Sequence, residues 1–262
     1  MRILKTWPLV VIFIVGVASF ADAQGAPAAE MERFFFDVSL GGQSREQTFT
    51  TSSTFTLHSE QGAVAGAQSI GGGAVFDVGA GVNVWRGFGV GIAYSTLEND
   101  NDGAVSVRVP HPFIIGQPRE ATATVTDLEH SENVLHLQFR WTVPVTSQFQ
   151  VALMLGPSFF TVRQDIATVV APRDISDPPP YNSVTITNVT VTDVKDSPVG
   201  FNIGLDGTYS ITRLYGINIG VGGFLRYSQA SLDLPMPEGL TLGTADLEAG
   251  GGQAAVGLRL KF

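Results

Sequence analysis

The sequence predicts an all-β chain in which eight antiparallel strands, connected up and down in chain order, close into a barrel. Apolar and polar residues alternate with a period of two along eight separate segments, and no segment sustains the period of an amphipathic helix. The connections between these segments are alternately short and long. This alternation places tight turns at one end of the barrel and long strand extensions at the other.

Each predicted strand carries an apolar residue at every second position. The fourth segment shows this most clearly, because Phe139 and Trp141 stand on either side of Arg140. In chain order the apolar faces span residues 34–40, 76–84, 88–94, 135–143, 149–155, 201–211, 215–227 and 254–262.

The polar face of these strands is predicted to point into the barrel. It carries many glycines, such as Gly79, Gly89 and Gly204, while the opposite face carries bulky branched and aromatic side chains. Glycine weakens a strand and has no use on a solvent-facing surface, but it fits the narrow interior of an eight-stranded barrel. An apolar exterior around a polar interior is the pattern of a transmembrane β-barrel.

The predicted connections fall into two length classes. The short ones are residues 86–87, 144–148 and 212–214, and the long ones are residues 41–75, 95–133, 163–199 and 229–252. Outer-membrane barrels have short periplasmic turns and long extracellular loops, so both mature termini are expected in the periplasm. Alternating patterns continue into the long connections and predict strands that protrude above the membrane, at residues 48–57, 104–109, 121–126 and 183–194.

The N-terminus has the pattern of a secretory signal peptide. Arg2 and Lys5 precede an apolar run from Trp7 to Phe20, and a small-x-small cleavage pattern ends at Ala23. The run is short for a membrane span, although a short N-terminal anchor is the alternative. The sequence therefore predicts a signal peptide over residues 1–23 and a barrel domain over residues 24–262.

Composition and charge exclude several classes of function. The 262-residue chain has no cysteine, which excludes a disulfide scaffold and a thiolate metal site. Its formal net charge of −9 argues against nucleic acid as a partner. The four long connections together carry −12, which favours solvation of the protruding strands. The alternative is a divalent cation bound at the oxygen-rich residues 99–103, although the chain matches no complete metal or cofactor motif.

Aromatic residues mark the two expected membrane interfaces. Trp85 lies one residue off the apolar face of its strand, as a turn position allows. Aromatic girdles lie at the headgroup level of the bilayer. The ring near the short turns is Phe34, Trp85, Phe88, Trp141, Phe149, Tyr209, Tyr215 and Phe262, and a looser ring toward the long connections is Phe76, Tyr94, Phe159, Phe201 and Tyr227.

Charged residues on the inward face are predicted to pair across the lumen. Counting from the short turns puts four of them low in the barrel, and puts Asp77 and Arg226 higher. Enclosed charges need partners because an isolated one costs several kcal/mol. The favoured interpretation is a salt-bridge network that plugs the barrel, and the alternative is a gated ion path. The predicted network comprises Asp37, Asp77, Arg140, Asp206, Arg226 and Arg259.

The C-terminus resembles the assembly signal of bacterial outer-membrane proteins. Gly257, Leu260 and Phe262 match that signal, while Ala255 departs from its polar position. With eight alternating strands and a signal peptide, the mature chain resembles the eight-stranded outer-membrane β-barrel family that includes OmpX, OmpW and the transmembrane domain of OmpA. The resemblance implies insertion by the outer-membrane barrel assembly machinery and contact with lipid and lipopolysaccharide. It does not imply one function, because this fold carries many.

Three function classes follow from these observations. The first is a monomeric, non-enzymatic barrel that serves envelope structure or surface interaction, and the second is a pore or carrier for small solutes. A lipid-modifying enzyme is the third and least supported, because neither His58-Ser59-Glu60 nor His130-Ser131-Glu132 can form a catalytic triad alone when adjacent strand residues point to opposite faces.

Overall fold

A computed structural model describes residues 32–236, 239–243 and 247–262. The predicted signal peptide, residues 1–23, lies outside the described residues. Within the described part of the chain, no helix is long and apolar enough to cross a membrane. The described strands are β1 (Phe34–Ser44), β2 (Glu46–Leu57), β3 (Glu60–Gly71), β4 (Ala74–Trp85), β5 (Phe88–Val109), β6 (Arg119–Pro144), β7 (Phe149–Thr168), β8 (Ile175–Ser176), β9 (Thr185–Ile186), β10 (Thr190–Asp196), β11 (Val199–Leu214), β12 (Ile217–Leu232), β13 (Thr241–Leu242) and β14 (Leu247–Lys261).

Eight of these strands close a ring, which confirms the predicted fold class. Every neighbouring pair is antiparallel, and the order round the ring is β1, β4, β5, β6, β7, β11, β12, β14 and back to β1. Following the paired residues once round the ring from Phe34 leads back to β1 at Ser44, ten residues further along. This stagger makes the strands tilt against the barrel axis.

The ring strands have their apolar side chains outside and their polar side chains inside. On β6, Phe139 is 62% exposed, whereas the adjacent Arg140 is only 4% exposed. The same alternation appears on β14, where Leu258 is exposed and Arg259 is buried. The predicted inside-out orientation is therefore confirmed along the ring.

Two of the three short turns use left-handed backbone at both turn residues. Arg86 and Gly87 join β4 to β5, and Tyr215 and Gly216 join β11 to β12, all four with positive φ. Two consecutive positive φ values give a type I′ turn, whose twist matches that of a hairpin. The predicted turn at residues 212–214 is wrong, because β11 continues through Leu214 after a register shift between Ser210 and Thr212.

A second register shift explains why Trp85 departs from the alternation of its strand. The pairing of β4 with β5 slips between Asn83 and Trp85. One extra residue in the strand moves the following side chain to the other face. Trp85 therefore joins the exposed aromatic residues, although the simple alternation places it on the inward face.

Beyond the ring, strands β2, β3, β10 and β13 and the continuations of β5, β6 and β7 form a second structure, the upper sheet. Strands β2 and β3 make a hairpin that pairs with β5, and β10 pairs with β7. The predicted strand over residues 183–194 is only partly correct. Residues 185–186 form a short strand in a separate two-stranded sheet, and pairing with β7 begins only at Thr190.

The interior of the upper sheet is largely apolar, which reverses the pattern of the lumen below it. Outside the bilayer the exterior faces water, so burial of apolar side chains inside becomes favourable. Two buried clusters fill this interior. The first includes Phe49, Ile70, Val134, Phe160, Val162, Ile166 and Leu247, and the second includes Val64, Val105, Val107, Leu128 and Val169.

Replacing Gly257 by alanine is expected to weaken the closure between β14 and β1. A Cβ atom at Gly257 would overlap the Val38 carbonyl oxygen and lie 2.6 Å from Ser39 Cα. Forcing such an atom into a packed site costs about 1–3 kcal/mol. Gly252→Ala on the same strand is the matched control, because a Cβ there meets nothing within 4 Å. Urea unfolding in detergent should show a lower midpoint only for Gly257→Ala, and equal midpoints would contradict the close approach.

Candidate functional site

Four charged residues form an alternating cluster low in the lumen, hereafter the lower charge cluster. Arg140 donates from Nη1 to Asp37 Oδ2 at 3.3 Å and from Nη2 to Asp206 Oδ1 at 2.7 Å. Arg259 donates from Nη2 to Asp206 Oδ2 at 2.7 Å, and its Nε lies 3.5 Å from Asp37 Oδ1. Each guanidinium therefore bridges both carboxylates across the barrel.

The lower charge cluster brings together side chains from β1, β6, β11 and β14. All four are buried, and the two positive charges balance the two negative ones. The Phe35 ring lies under the Arg140 guanidinium at 4.5 Å, which adds a cation–π contact. Closer to the short turns, Lys261 Nζ donates to Gln150 Oε1 at 2.7 Å.

Asp77 and Arg226 form a separate pair higher in the lumen. Arg226 Nη2 donates to Asp77 Oδ2 at 2.5 Å and to Ser95 Oγ at 2.6 Å, while its Nε donates to Gln253 Oε1 at 2.8 Å. Among the described residues, no ion pair joins this pair to the lower charge cluster. Of the six charged residues singled out in the sequence, the structure thus brings four into one cluster and two into another.

A buried histidine on β6 links its two neighbouring strands, β5 and β7, at the same level as this pair. His136 Nδ1 lies 2.7 Å from Ser158 Oγ and its Nε2 lies 3.2 Å from Ser95 Oγ. The arrangement differs from a hydrolytic triad, because the Asp77 carboxylate accepts its hydrogen bond from Ser95 and not from the imidazole. His136 shares the inward phase of Arg140, and this alternation is the signal that could have added it to the predicted network.

A third polar layer is centred on Glu132. It lies just beyond the looser aromatic ring, on the side of the long connections. The Glu132 carboxylate accepts hydrogen bonds from Gly250 N at 3.1 Å and from Gln43 Nε2 at 3.1 Å. His130 Nε2 lies 3.2 Å away, and Arg45 Nη1 lies 3.8 Å away. The sequence pattern does not reveal this layer because the apolar Val134 interrupts the polar phase between His136 and Glu132.

Opposing influences act on the Glu132 carboxyl, which lies above the membrane-spanning part of β6. Burial raises its pKa, but the hydrogen bonds from His130 and Gln43 and the positive charge of Arg45 outweigh burial. The pKa of Glu132 therefore lies below its usual value. The contacts of this layer therefore stabilise the charged carboxylate of Glu132.

The oxygen-rich residues 99–103 do not converge on one point. They lie on β5, so that Asp100 and Asp102 are exposed while Asn101 is buried on the other face. Asn101 Oδ1 accepts from Gly71 N at 2.9 Å, and Asn99 Nδ2 donates to the Gly72 carbonyl at 2.9 Å. These amides connect β5 to the end of β3, and across residues 32–236, 239–243 and 247–262 no cluster of three metal-ligating side chains occurs.

Exposed aromatic side chains mark both edges of the apolar outer belt. Near the short turns, Phe34 stacks on Phe262 at 5.7 Å and Phe88 on Trp141 at 5.9 Å. All eight predicted members of this ring are exposed, as are the five members of the looser ring: Phe76, Tyr94, Phe159, Phe201 and Tyr227. An apolar belt of this kind surrounds buried ion pairs carried by the same strands.

The chain has the fold of an eight-stranded outer-membrane β-barrel. The closed ring, the exposed apolar belt and the buried lumen charges establish this fold. No protein-family model matches the barrel, and no curated protein matches it in sequence.

Solved structures of outer-membrane proteins resemble the barrel at very low sequence identity. OprG of Pseudomonas aeruginosa is 10% identical over 88% of this chain and 96% of its own, with a TM-score of 0.45. Neisserial surface protein A is 9% identical over 87% and 97% of the two chains, with a TM-score of 0.37. The outer-membrane protease OmpT of Escherichia coli is 10% identical over 91% and 99%, with a TM-score of 0.38.

Proposed function

We propose that the chain is a non-enzymatic outer-membrane protein with a closed lumen, whose function in envelope structure or surface interaction resides in the upper sheet. Residues 1–23 direct export, and residues 24–262 form the mature barrel. Both mature termini and the short turns face the periplasm, and the upper sheet faces outward. A monomer suffices for this role, because the ring closes on itself and leaves no strand edge within the membrane.

The proposal that the lumen is closed rests on three polar layers, which are stacked along the lumen and which each cross it. The lower charge cluster, the Asp77–Arg226 pair and the Glu132 layer each join opposite walls. Gln253 and Gln43 continue the contacts between the last two layers, since Gln253 Nε2 donates to Gln43 Oε1 at 2.7 Å. The apolar clusters of the upper sheet then cover the outer end of the lumen.

The last strand supports assembly from the C-terminus. Phe262 N donates to the Phe34 carbonyl at 2.9 Å, and Phe34 N donates to the Phe262 carbonyl at 2.7 Å, so Phe262 lies at the seam between β14 and β1. In this proposal the barrel assembly machinery recognises Gly257, Leu260 and Phe262. Lipid chains contact the outer belt, and lipopolysaccharide contacts its outer edge.

Purified barrel is expected to give no conductance steps in planar lipid bilayers. Ions would have to separate the buried pairs of all three layers, and breaking even one such pair is costly. The alternative function, a pore or carrier for small solutes, predicts steady and reproducible steps, and such steps would overturn the proposal. Folded protein is verified in the same preparation by the different gel mobility of boiled and unboiled samples.

A further inference from the structure

The hairpin that joins β5 to β6 ends in three consecutive exposed apolar residues, hereafter the apolar tip. Phe113 is 75% exposed, Ile114 is 45% exposed and Ile115 is 87% exposed. The surrounding residues 110–118 contain no Asp, Glu, Lys or Arg. Contiguous exposed apolar surface of this kind marks a site of interaction with a protein or a membrane.

Three backbone N–H groups at the apolar tip donate hydrogen bonds within the protein. His111 Nδ1 accepts from Phe113 N at 3.1 Å and from Ile114 N at 3.2 Å. Glu60 Oε1 accepts from Gly116 N at 2.8 Å. A segment that enters an apolar medium must satisfy its backbone donors within the protein, because each unmet donor there is costly.

The base of the apolar tip is held by contacts to the neighbouring connection. The Phe113 ring meets the Tyr181 ring edge-on at 5.4 Å. Arg119 pairs with Asp177 and donates to the carbonyls of Tyr181 at 2.9 Å and Pro110 at 2.8 Å. The tip is thus a braced projection, so little conformational entropy is lost when it binds.

The apolar tip lies far from the belt that spans the chain's own membrane. Strand β5 continues from Tyr94, in the outer aromatic ring, to Val109 immediately before the tip. Fifteen residues of strand correspond to roughly 50 Å of length. A surface that receives the tip therefore approaches from outside.

We propose that the apolar tip inserts into the surface of an apposed zwitterionic lipid bilayer, an inference that rests on the outward orientation of the proposed function. Residues 110–118 carry no charged side chain, which suits insertion between neutral lipid headgroups. The long connections carry −12 in total, so an anionic surface would repel the protein. Residues 110–118 themselves offer no charged side chain to specify a protein partner.

Flotation with vesicles tests this proposal on the full barrel held in nanodiscs. Wild-type barrel is expected to float with phosphatidylcholine vesicles, and the double variant Phe113→Ser, Ile115→Ser to bind at least ten-fold less. Val191→Ser is the matched control, because Val191 is a 45% exposed apolar residue of the upper sheet outside the tip. It should bind like the wild type, and added phosphatidylserine should weaken binding.

Two results would overturn the proposal. One is equal flotation of the wild type and the double variant, or none by either. The other is tip-dependent association of nanodiscs with each other in the absence of vesicle binding, which would assign the tip to a second copy of the chain.

Surface labelling separates these outcomes from failure of the proposed orientation. The chain has no cysteine, so the Gln117→Cys variant offers one thiol beside the tip. Labelling of this variant by an impermeant maleimide on intact cells supports the outward orientation whatever the flotation result. Absence of labelling in folded protein would overturn the orientation itself and the tip proposal with it.

Discussion

Replacing Arg140 by alanine is expected to lower the free energy of unfolding of the barrel by about 3–5 kcal/mol. Arg140 bridges Asp37 and Asp206 in the lower charge cluster and is itself almost fully buried. Its removal takes one ion-pair partner from each of Asp37 and Asp206, so these two buried carboxylates must share Arg259. Urea titration of the barrel in detergent or lipid, followed by tryptophan fluorescence, measures the change.

Arg108→Ala is the matched control for this variant. Arg108 pairs with Glu120 at 3.8 Å, but both side chains are largely exposed. Exposed pairs contribute about 0–1 kcal/mol, so this control should unfold nearly as the wild type does. Equal, small effects at both arginines would mean that water solvates the lumen charges, and the closed lumen would then be wrong.

Replacing Glu132 by alanine is expected to cost about 3 kcal/mol of stability, because each buried donor left without an acceptor costs about 1–3 kcal/mol. The change removes the acceptor of Gly250 N and of Gln43 Nε2. Glu120→Ala is the control, since Glu120 is exposed and pairs with the exposed Arg108. A loss no larger than that of Glu120→Ala would show that the Glu132 layer does not hold β6 against β14.

The same carboxyl predicts a dependence of stability on pH. Its folded-state pKa lies below the usual 4.5, so the charged form stabilises the fold above that pH. This contribution is lost as the pH falls below 4.5 and through the lower folded-state pKa. Glu132→Gln should therefore reduce the loss of stability below pH 4.5, and identical pH profiles of variant and wild type would contradict this assignment.

The strands of the ring were predictable from the sequence, whereas the upper sheet was predictable only in part. A period of two assigns Phe139 and Arg140 to opposite faces, and the glycines then show which face is inside. The same period cannot show that, above the Glu132 layer, the interior becomes largely apolar, because the preference reverses where water replaces lipid outside the barrel. Phe49 and Ile166 are thus buried core residues because they lie above the membrane, where the exterior of the sheet faces water.

Sequence distance also limits what can be predicted about the lumen. The phase of the alternation places Asp37 and Asp206 on the inner face, but their contact with Arg140 depends on the stagger of the whole ring. Glu132 meets Gly250, 118 positions away, through that same stagger. Register shifts such as the one beside Trp85 add single residues that no simple alternation reveals.

The continuity of β5 and β6 has a mechanical consequence. Both strands run from the membrane-spanning ring to the hairpin that carries the apolar tip. They are paired from Phe88 and Trp141 up to Val109 and Arg119, with one register shift between Asn101 and Gly103. A pull on the tip along these strands would load in shear the ladders that join β5 to β4 and β6 to β7, so that many hydrogen bonds must fail together rather than one by one. The barrel can thus act as an anchor under tension, passing force from an attached surface directly into the lipid-embedded wall.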